Sequence, residues 1–299
     1  MILLLGAHGY VGNAMAHDLR SKDIEYLTYQ ARYPLNEQDF TRFLLINKVS
    51  CIINCAGFVG LPNVDSCEQA DNKIPCMLAN ALLPAQILGI CNKHNITFNH
   101  VSSGCIYTDA ACDRALDPTV VFQEKHVPNF DFDSNKASWY SATKALGETL
   151  LNNKATEVSC NIFRLRIPFD GVINDRNYLT KLCKYSVLLN ATNSLSNLKE
   201  FTNAVVEISQ QVDYGYNTYN VTQPGYIKTM EVVDMLQKKN LVKDKQWFKS
   251  IEDFNATVSA PRSNCTLDST KIMRQGIRLT PVHDSLMQAI DEYKFNSQL

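Results

Sequence analysis

Tyr140-Ser141-Ala142-Thr143-Lys144 sets a phenol and an ammonium four residues apart. On a helix that spacing puts both side chains on one face. A tyrosine with a pKa of about 10 is a poor acid–base group at neutral pH. A nearby ammonium stabilises the phenolate and draws that pKa down. Many helices carry this pattern by chance, so other residues must make it informative. Gly6, Gly9 and Gly12 form G-x-x-G-x-x-G directly after a short apolar run. Glycines in that place permit a tight turn and let the backbone approach a pyrophosphate at a helix N-terminus. Ser102-Ser103 ends a further apolar run, where a hydroxyl can hydrogen-bond a substrate carbonyl. Dinucleotide loop, phenol–ammonium pair and hydroxyl together describe hydride transfer at a carbonyl. The residue about 20 positions beyond the loop sits beside the adenosine ribose, where an acid selects NAD and an arginine accommodates a 2′-phosphate. Arg32 stands there and no acid ends its strand, which favours NADPH and leaves tolerance of NADH open. Tyr10 and Val11 at the helix start, Ala56 and Gly57 after the third strand, and Asn80 on the next helix complete the expected cofactor contacts.

These groups need a frame that brings them to one edge. Residues 2–5, 27–29, 50–56, 96–101 and 158–165 read as strands, the apolar runs being short and ended by polar residues or glycine. Residues 13–20, 40–47, 80–92 and 139–151 read as helices, with Leu83, Ile87 and Ile90 on one face of the third. This alternation predicts an α/β fold, a parallel sheet covered by helices on both faces. Beyond Arg166 the pattern loosens. Helices are expected over 176–185, 200–211, 230–239 and 282–295, and a short strand at 219–221 can return to the main sheet. No Pro/Gly/Ser-rich linker, low-complexity tract or repeat marks a boundary. The expected division is therefore soft: 1–166 for the dinucleotide, with a returning segment near 200–223, and 167–299 mainly for the substrate.

Composition removes several function classes. Of 299 residues, 45% are hydrophobic and 20% charged, which excludes a disordered chain. Net charge is -1, so no global positive field attracts nucleic acid or an anionic membrane surface. The ten cysteines include no C-x-x-C pair, and several lie in apolar runs, which reads as buried thiols in a reducing, cytoplasmic setting. The N-terminal apolar run ends at Gly6 and has no basic flank, unlike a signal peptide. No apolar run was expected to approach the roughly 20 residues of a membrane span.

The glycine loop, the strand–helix series and the Tyr140–Lys144 pair resemble the short-chain dehydrogenase/reductase superfamily. Four segments narrow this: Cys55-Ala56-Gly57-Phe58-Val59-Gly60-Leu61-Pro62-Asn63-Val64-Asp65, Ser103-Gly104-Cys105-Ile106-Tyr107, Asp175-Arg176-Asn177-Tyr178-Leu179-Thr180-Lys181 and Ala260-Pro261-Arg262-Ser263-Asn264. Over essentially the whole chain they resemble the bifunctional UDP-4-keto-6-deoxy-glucose 3,5-epimerase/4-reductases. The resemblance implies a Rossmann-type doubly wound sheet with a smaller C-terminal substrate-binding domain, a homodimer through a helix pair that includes the Tyr140 helix, and UDP-4-keto-6-deoxy-glucose as substrate. Catalytic roles fall on Ser103, Cys105, Tyr140, Lys144 and Lys181. Asn63, Asp65, Asn177 and Arg262 would bind substrate, Arg262 and Asn177 at the diphosphate; a structural role fits Asn63 and Asp65 equally well.

Residues 104 and 105 carry the finer distinction. Nucleotide-sugar 4,6-dehydratases place Asp and Glu there, whereas this chain has Gly104 and Cys105. GDP-fucose synthase places a cysteine two residues after its catalytic serine, as Cys105 follows Ser103, and inverts C3 and C5 of a 4-keto sugar. A thiol near pKa 8.5, lowered by a cationic neighbour, can move protons at carbon. Lys181 would serve the opposite face. A GDP-fucose synthase-like enzyme, a dTDP-sugar 4-reductase and a non-catalytic Rossmann regulatory subunit are the other readings. Retention of Ser103, Cys105, Tyr140 and Lys144 together speaks against the last.

Overall fold

The short apolar runs become the strands of one sheet. A computed structural model describes residues 1–109, 120–134, 136–154, 158–211 and 214–296, so Cys112 lies outside the described residues. The strands are β1 (Ile2–Leu5), β2 (Tyr26–Tyr29), β3 (Cys51–Asn54), β4 (Thr97–Ser103), β5 (Ser159–Leu165) and β6 (Gly215–Asn220). They lie side by side in the order β2-β1-β3-β4-β5-β6, and every pairing is parallel. The expected return of 219–221 is therefore seen, as part of a strand that starts at Gly215.

The helices are α1 (Tyr10–Ser21), α2 (Glu37–Ile46), α3 (Ala70–Met77), α4 (Leu83–His94), α5 (Trp139–Asn152), α6 (Tyr178–Lys184), α7 (Leu198–Ser209), α8 (Thr229–Lys238) and α9 (Val282–Asn296). Period-two alternation divides the strand side chains between two helix layers. Leu4 and Ile53 pack with Met15 and Leu19 of α1 and Phe201 and Val205 of α7. Leu3, Leu5 and Ile52 pack with Phe40 of α2, Ile87 and Leu88 of α4 and Leu151 of α5. Covered on both faces, β1 and β3 are buried throughout, which is why their sequences are continuous apolar runs.

A third core gathers Phe169, Leu179, Leu182, Val232, Leu236, Leu286 and Ile290 from α6, α8, α9 and their flanks. Chain order reverses between β1 and β3, and a doubly wound sheet opens its crevice at the strand carboxyl ends beside such a point. Gly6, Ala56 and Ser103 all lie at those ends.

Two expectations are corrected. Helix was expected to start at residue 80, but α3 precedes it and runs through a wide π turn, Leu78–Leu82, into α4. Pro75, with no N–H to give a helix, masks α3 in the sequence. The resulting 25-residue stretch Ala70–His94 is long and apolar enough to cross a membrane, contrary to the sequence reading; in this fold it is a core helix, with Ile87, Leu88 and Cys91 wholly buried under the sheet. The Tyr140 helix is well enclosed within the protomer. Of α5 only Thr149 and Asn152 are exposed, and a Cβ on Gly147 would lie 2.4 Å from the Asn80 carbonyl oxygen.

Candidate active site

The chain turns sharply between β1 and α1. Gly6 has φ 73°, its carbonyl accepts the Gly9 N–H at 3.0 Å, and Gly9 caps α1. A Cβ on Gly6 would meet the Ala56 nitrogen at 2.6 Å, and one on Gly12 the Gly6 oxygen at 2.0 Å. A Cβ on Gly9 would meet only the Gly6 oxygen, at 3.4 Å. The first two glycines thus permit backbone packing, whereas Gly9 opens on a cavity of about 700 Å³. Tyr10, Val11, Gly57, Ser103, Tyr140 and Lys144 line the same cavity. The first turn of α1 has no acidic residue. Bare backbone at a helix N-terminus without a carboxylate fits a pyrophosphate, so the residues present fit a nicotinamide dinucleotide. The Tyr10 hydroxyl is buried; burial and the nearby Asp170 carboxylate hold it far above its ordinary pKa.

Two expected cofactor contacts differ. Asn80 is wholly buried, and its amide accepts from the Phe58 N–H and donates to the Phe58 oxygen, both at 2.9 Å. It fixes the loop that follows β3 and so shapes the cavity from behind. Arg32 stands exposed beyond β2 and lines no described cavity. Ala56 contributes backbone, its N–H held by Asn54 Oδ1 at 3.0 Å.

Ser103, Tyr140 and Lys144 do come together. Ser103 ends β4, and its Oγ accepts the Cys105 N–H at 3.2 Å across the short 3₁₀ turn Gly104–Ile106. Ser138 caps α5 by accepting from the Ser141 N–H, which sets Tyr140 in the first turn. Lys144 is 6% exposed and donates to the Val101 oxygen at 3.4 Å.

The electrostatics differ from expectation. Burial, then Cys105, hold the Tyr140 phenol well above its ordinary value, so Lys144 does not bring it down here. Burial also lowers Lys144. Burial raises the Cys105 thiol, and hydrogen bonds from Ser103 and Ser141 with the charges of Arg166 and Lys144 only oppose that rise. The expected lowering by a cation is outweighed. Lys181 moves down, through burial first and then the charges of Arg176 and Arg262.

A second cavity of about 550 Å³ adjoins the first. Cys105, Arg166, Tyr178 and Arg262 line it, and Tyr140, Arg176 and Lys181 line both cavities. Asn63 uses its Oδ1 to accept the Asp65 N–H at 2.8 Å, the structural alternative. Asp65 forms a bidentate pair with Arg262, both contacts 2.9 Å, and accepts the Ala260 N–H. Burial would raise this carboxyl, but Arg262 holds it below the usual range. Asn177 is wholly buried; it accepts the Leu179 N–H at 2.9 Å and donates to Asp170 and to the Val172 oxygen. With no surface left it caps α6 and positions Lys181 rather than reaching a diphosphate.

Sequence reasoning missed Arg166 and Arg176. The signal was present for Arg166: charged residues at 164 and 166 stand at the end of a buried strand, in Ile162-Phe163-Arg164-Leu165-Arg166. Arg176 Nη2 donates to the Gly60 oxygen at 2.7 Å, joining the loop after β3 to the substrate side. Gly104 also has a steric reason, since a Cβ there would meet Leu267 Cδ1 at 2.6 Å. A larger residue there would have to displace the Leu267 side chain.

The family profile described as RmlD substrate binding domain matches residues 1–295. The chain belongs to the RmlD family. Its enzyme class is that of the RmlD-type sugar-nucleotide reductases. An Arabidopsis thaliana bifunctional dTDP-4-dehydrorhamnose 3,5-epimerase/dTDP-4-dehydrorhamnose reductase is 28% identical over 293 residues, 97% of this RmlD-family chain and 92% of the relative. A trifunctional Arabidopsis dehydratase/epimerase/reductase is 27% identical, and the chain spans 42% of its length. Among solved structures, a UDP-rhamnose synthase from Acanthamoeba polyphaga mimivirus superposes with TM-score 0.87 at 22% identity, covering 97% of this chain and 98% of that one. A dTDP-4-dehydrorhamnose reductase from Bacillus anthracis, solved with NADP, gives TM-score 0.76 at 15% identity, covering 98% of each chain. These two share the fold, a Rossmann-type α/β architecture.

Proposed function

We propose that the enzyme inverts C3 and C5 of UDP-4-keto-6-deoxy-D-glucose and reduces C4 with NADPH, giving UDP-L-rhamnose. One observation carries the reading: Cys105 and Lys181 line a single cavity that shares Tyr140 with the dinucleotide cavity. A ketone at C4 would sit at that junction. NADPH, when bound, supplies hydride to the C4 carbon. Ser103 and Tyr140 hold the C4 oxygen, and Tyr140 gives it a proton. The raised phenol suits this role, because the donor must be protonated at the start.

Epimerisation precedes reduction, since only the ketone acidifies C3–H and C5–H. Two groups pushed in opposite directions divide such work. Lys181, lowered, is the base that removes the proton, and the C–H pair passes to the C4 oxygen. Cys105, raised, keeps its proton and returns it to the opposite face. Arg166, Arg176 and Arg262 face the cavity with Asp65 as their carboxylate neighbour, an excess of cation that suits a sugar diphosphate. The relatives named above act on dTDP- and UDP-linked sugars, and we take UDP as the carrier. The reading also includes preference for NADPH through Arg32, a cytoplasmic homodimer with its described cysteines free, and no nucleic-acid or membrane partner.

The test is solvent deuterium incorporation at C3 and C5 without NADPH, followed by NADPH oxidation. Cys105→Ser should cut incorporation by roughly 10²–10⁴-fold, the worth of a general acid–base group. Incorporation at the unmutated rate would reduce Cys105 to a packing thiol.

A further inference from the structure

Two buried arginines stand two residues apart and are treated differently. Arg164 is neutralised: its guanidinium meets Glu148 at 2.7 Å, with both side chains about 95% buried. Arg166 is 5% exposed and has no carboxylate within ion-pair distance among the described residues. Its Nη2 donates to two neutral oxygens, Asn193 Oδ1 and Ser263 O, each at 2.5 Å. Its buried Nε has no hydrogen-bond partner among the described residues. An uncompensated buried charge is costly, so this cation is held ready for an anion at the cavity it lines. Cys105 lines that cavity too, and the two are close in the fold: a Cβ on Gly104 would sit 3.4 Å from Arg166 Cδ.

We propose that Arg166 is a positioning residue for the epimerase step, compensating the negative charge left on Cys105 Sγ when the thiol gives its proton to the sugar carbon. The role rests on the function proposed above. In the step, the S–H bond breaks and its pair stays on sulfur. The enolate pair forms the new C–H bond and the C4 carbonyl returns, so one negative charge passes from oxygen to sulfur. Other titratable groups around Cys105 serve elsewhere. From α5, Tyr140 and Lys144 face the reducing side, and Lys144 lines only the dinucleotide cavity. Cys265 donates to the Gly104 oxygen at 3.3 Å. Lys181, Arg176 and Arg262 lie around the same cavity, Arg262 being paired with Asp65.

The experiment is the pH dependence of iodoacetamide alkylation of Cys105 in the full chain, read by peptide mass spectrometry, with partly exposed Cys183 as internal control. An opposite charge nearby shifts a pKa by about 1–3 units. Arg166→Gln and the similarly shaped, uncharged Arg166→Met should each move the Cys105 midpoint up by about one unit or more, tenfold slower alkylation below it. Arg166→Lys should restore most of the rate, and Cys183 should not move. Melting temperature and NADPH binding check folding, and two uncharged variants guard against one failing to fold. Deuterium incorporation at C3 and C5 should fall at least tenfold in both and recover in Arg166→Lys. An unchanged Cys105 midpoint in a folded Arg166→Gln or Arg166→Met protein overturns the role of Arg166 alone. A shifted midpoint beside undiminished incorporation in Cys105→Ser overturns the epimerase reading, and this role with it.

Discussion

Burial acts in opposite senses on the three groups proposed to move protons. It raises the Tyr140 phenol and the Cys105 thiol and lowers Lys181. Tyr140→Phe removes only the reductive donor, so NADPH oxidation should fall about 10²–10⁴-fold while deuterium incorporation at C3 and C5 survives better; a fully active variant contradicts the assignment. The incorporation rate should also depend on pH. Its base must be unprotonated, so the rate rises with pH through the lowered Lys181 value, below the ordinary lysine value of about 10.4. Its acid must be protonated, so the rate falls again above the raised Cys105 value. Lys181→Ala should abolish the rising limb, and an unaltered profile in that variant would remove Lys181 from the chemistry. Residues whose chemistry is set by local spacing were legible in the sequence: the glycine loop, Ser103, and Tyr140 with Lys144. Asp65 and Arg262 were each legible as site residues but not as partners, because 197 positions separate them. Nor does sequence show that Asn80 and Asn177 spend their polar atoms on partners inside the protein.

At the scale of elements, the Asp65–Arg262 pair ties the turn after β3 to the segment after residue 260, and so closes one wall of the substrate cavity. The pair is partly exposed, at 26% and 27% of the side chains. Asp65→Asn should therefore cost only about 1–2 kcal/mol at pH 7, between the worth of an exposed ion pair and that of a buried hydrogen bond to a charged group. Because the folded-state pKa is depressed, the contribution is present above the ordinary aspartate value of about 3.9 and fades as pH falls through the lower folded one. Denaturant melts of both proteins at pH 7 and toward pH 3 measure this; a stability gap that widened on acidification would contradict it. Element order was readable because apolar runs and helical periodicity are local signals. α3 was hidden by Pro75, and no local signal showed that α5 would be enclosed.

The whole molecule brings a dinucleotide cavity and a substrate cavity together at Tyr140, Arg176 and Lys181. Ligand binding should accordingly stabilise the entire fold. NADPH at a hundredfold excess over its Kd should add about 2.7 kcal/mol, seen as a rise in Tm. At equal concentration NADH should add less, and Arg32→Asp should weaken or reverse that order. Equal shifts from both cofactors would remove Arg32 from cofactor choice. The central claim is that one cleft performs both inversion and reduction, and the most direct measurement is proton NMR of the product formed from UDP-4-keto-6-deoxy-glucose and NADPH in deuterated water. The account predicts UDP-L-rhamnose carrying deuterium at C3 and C5. A reduced 6-deoxy sugar that keeps its original C3 and C5 configuration and both protons would contradict it.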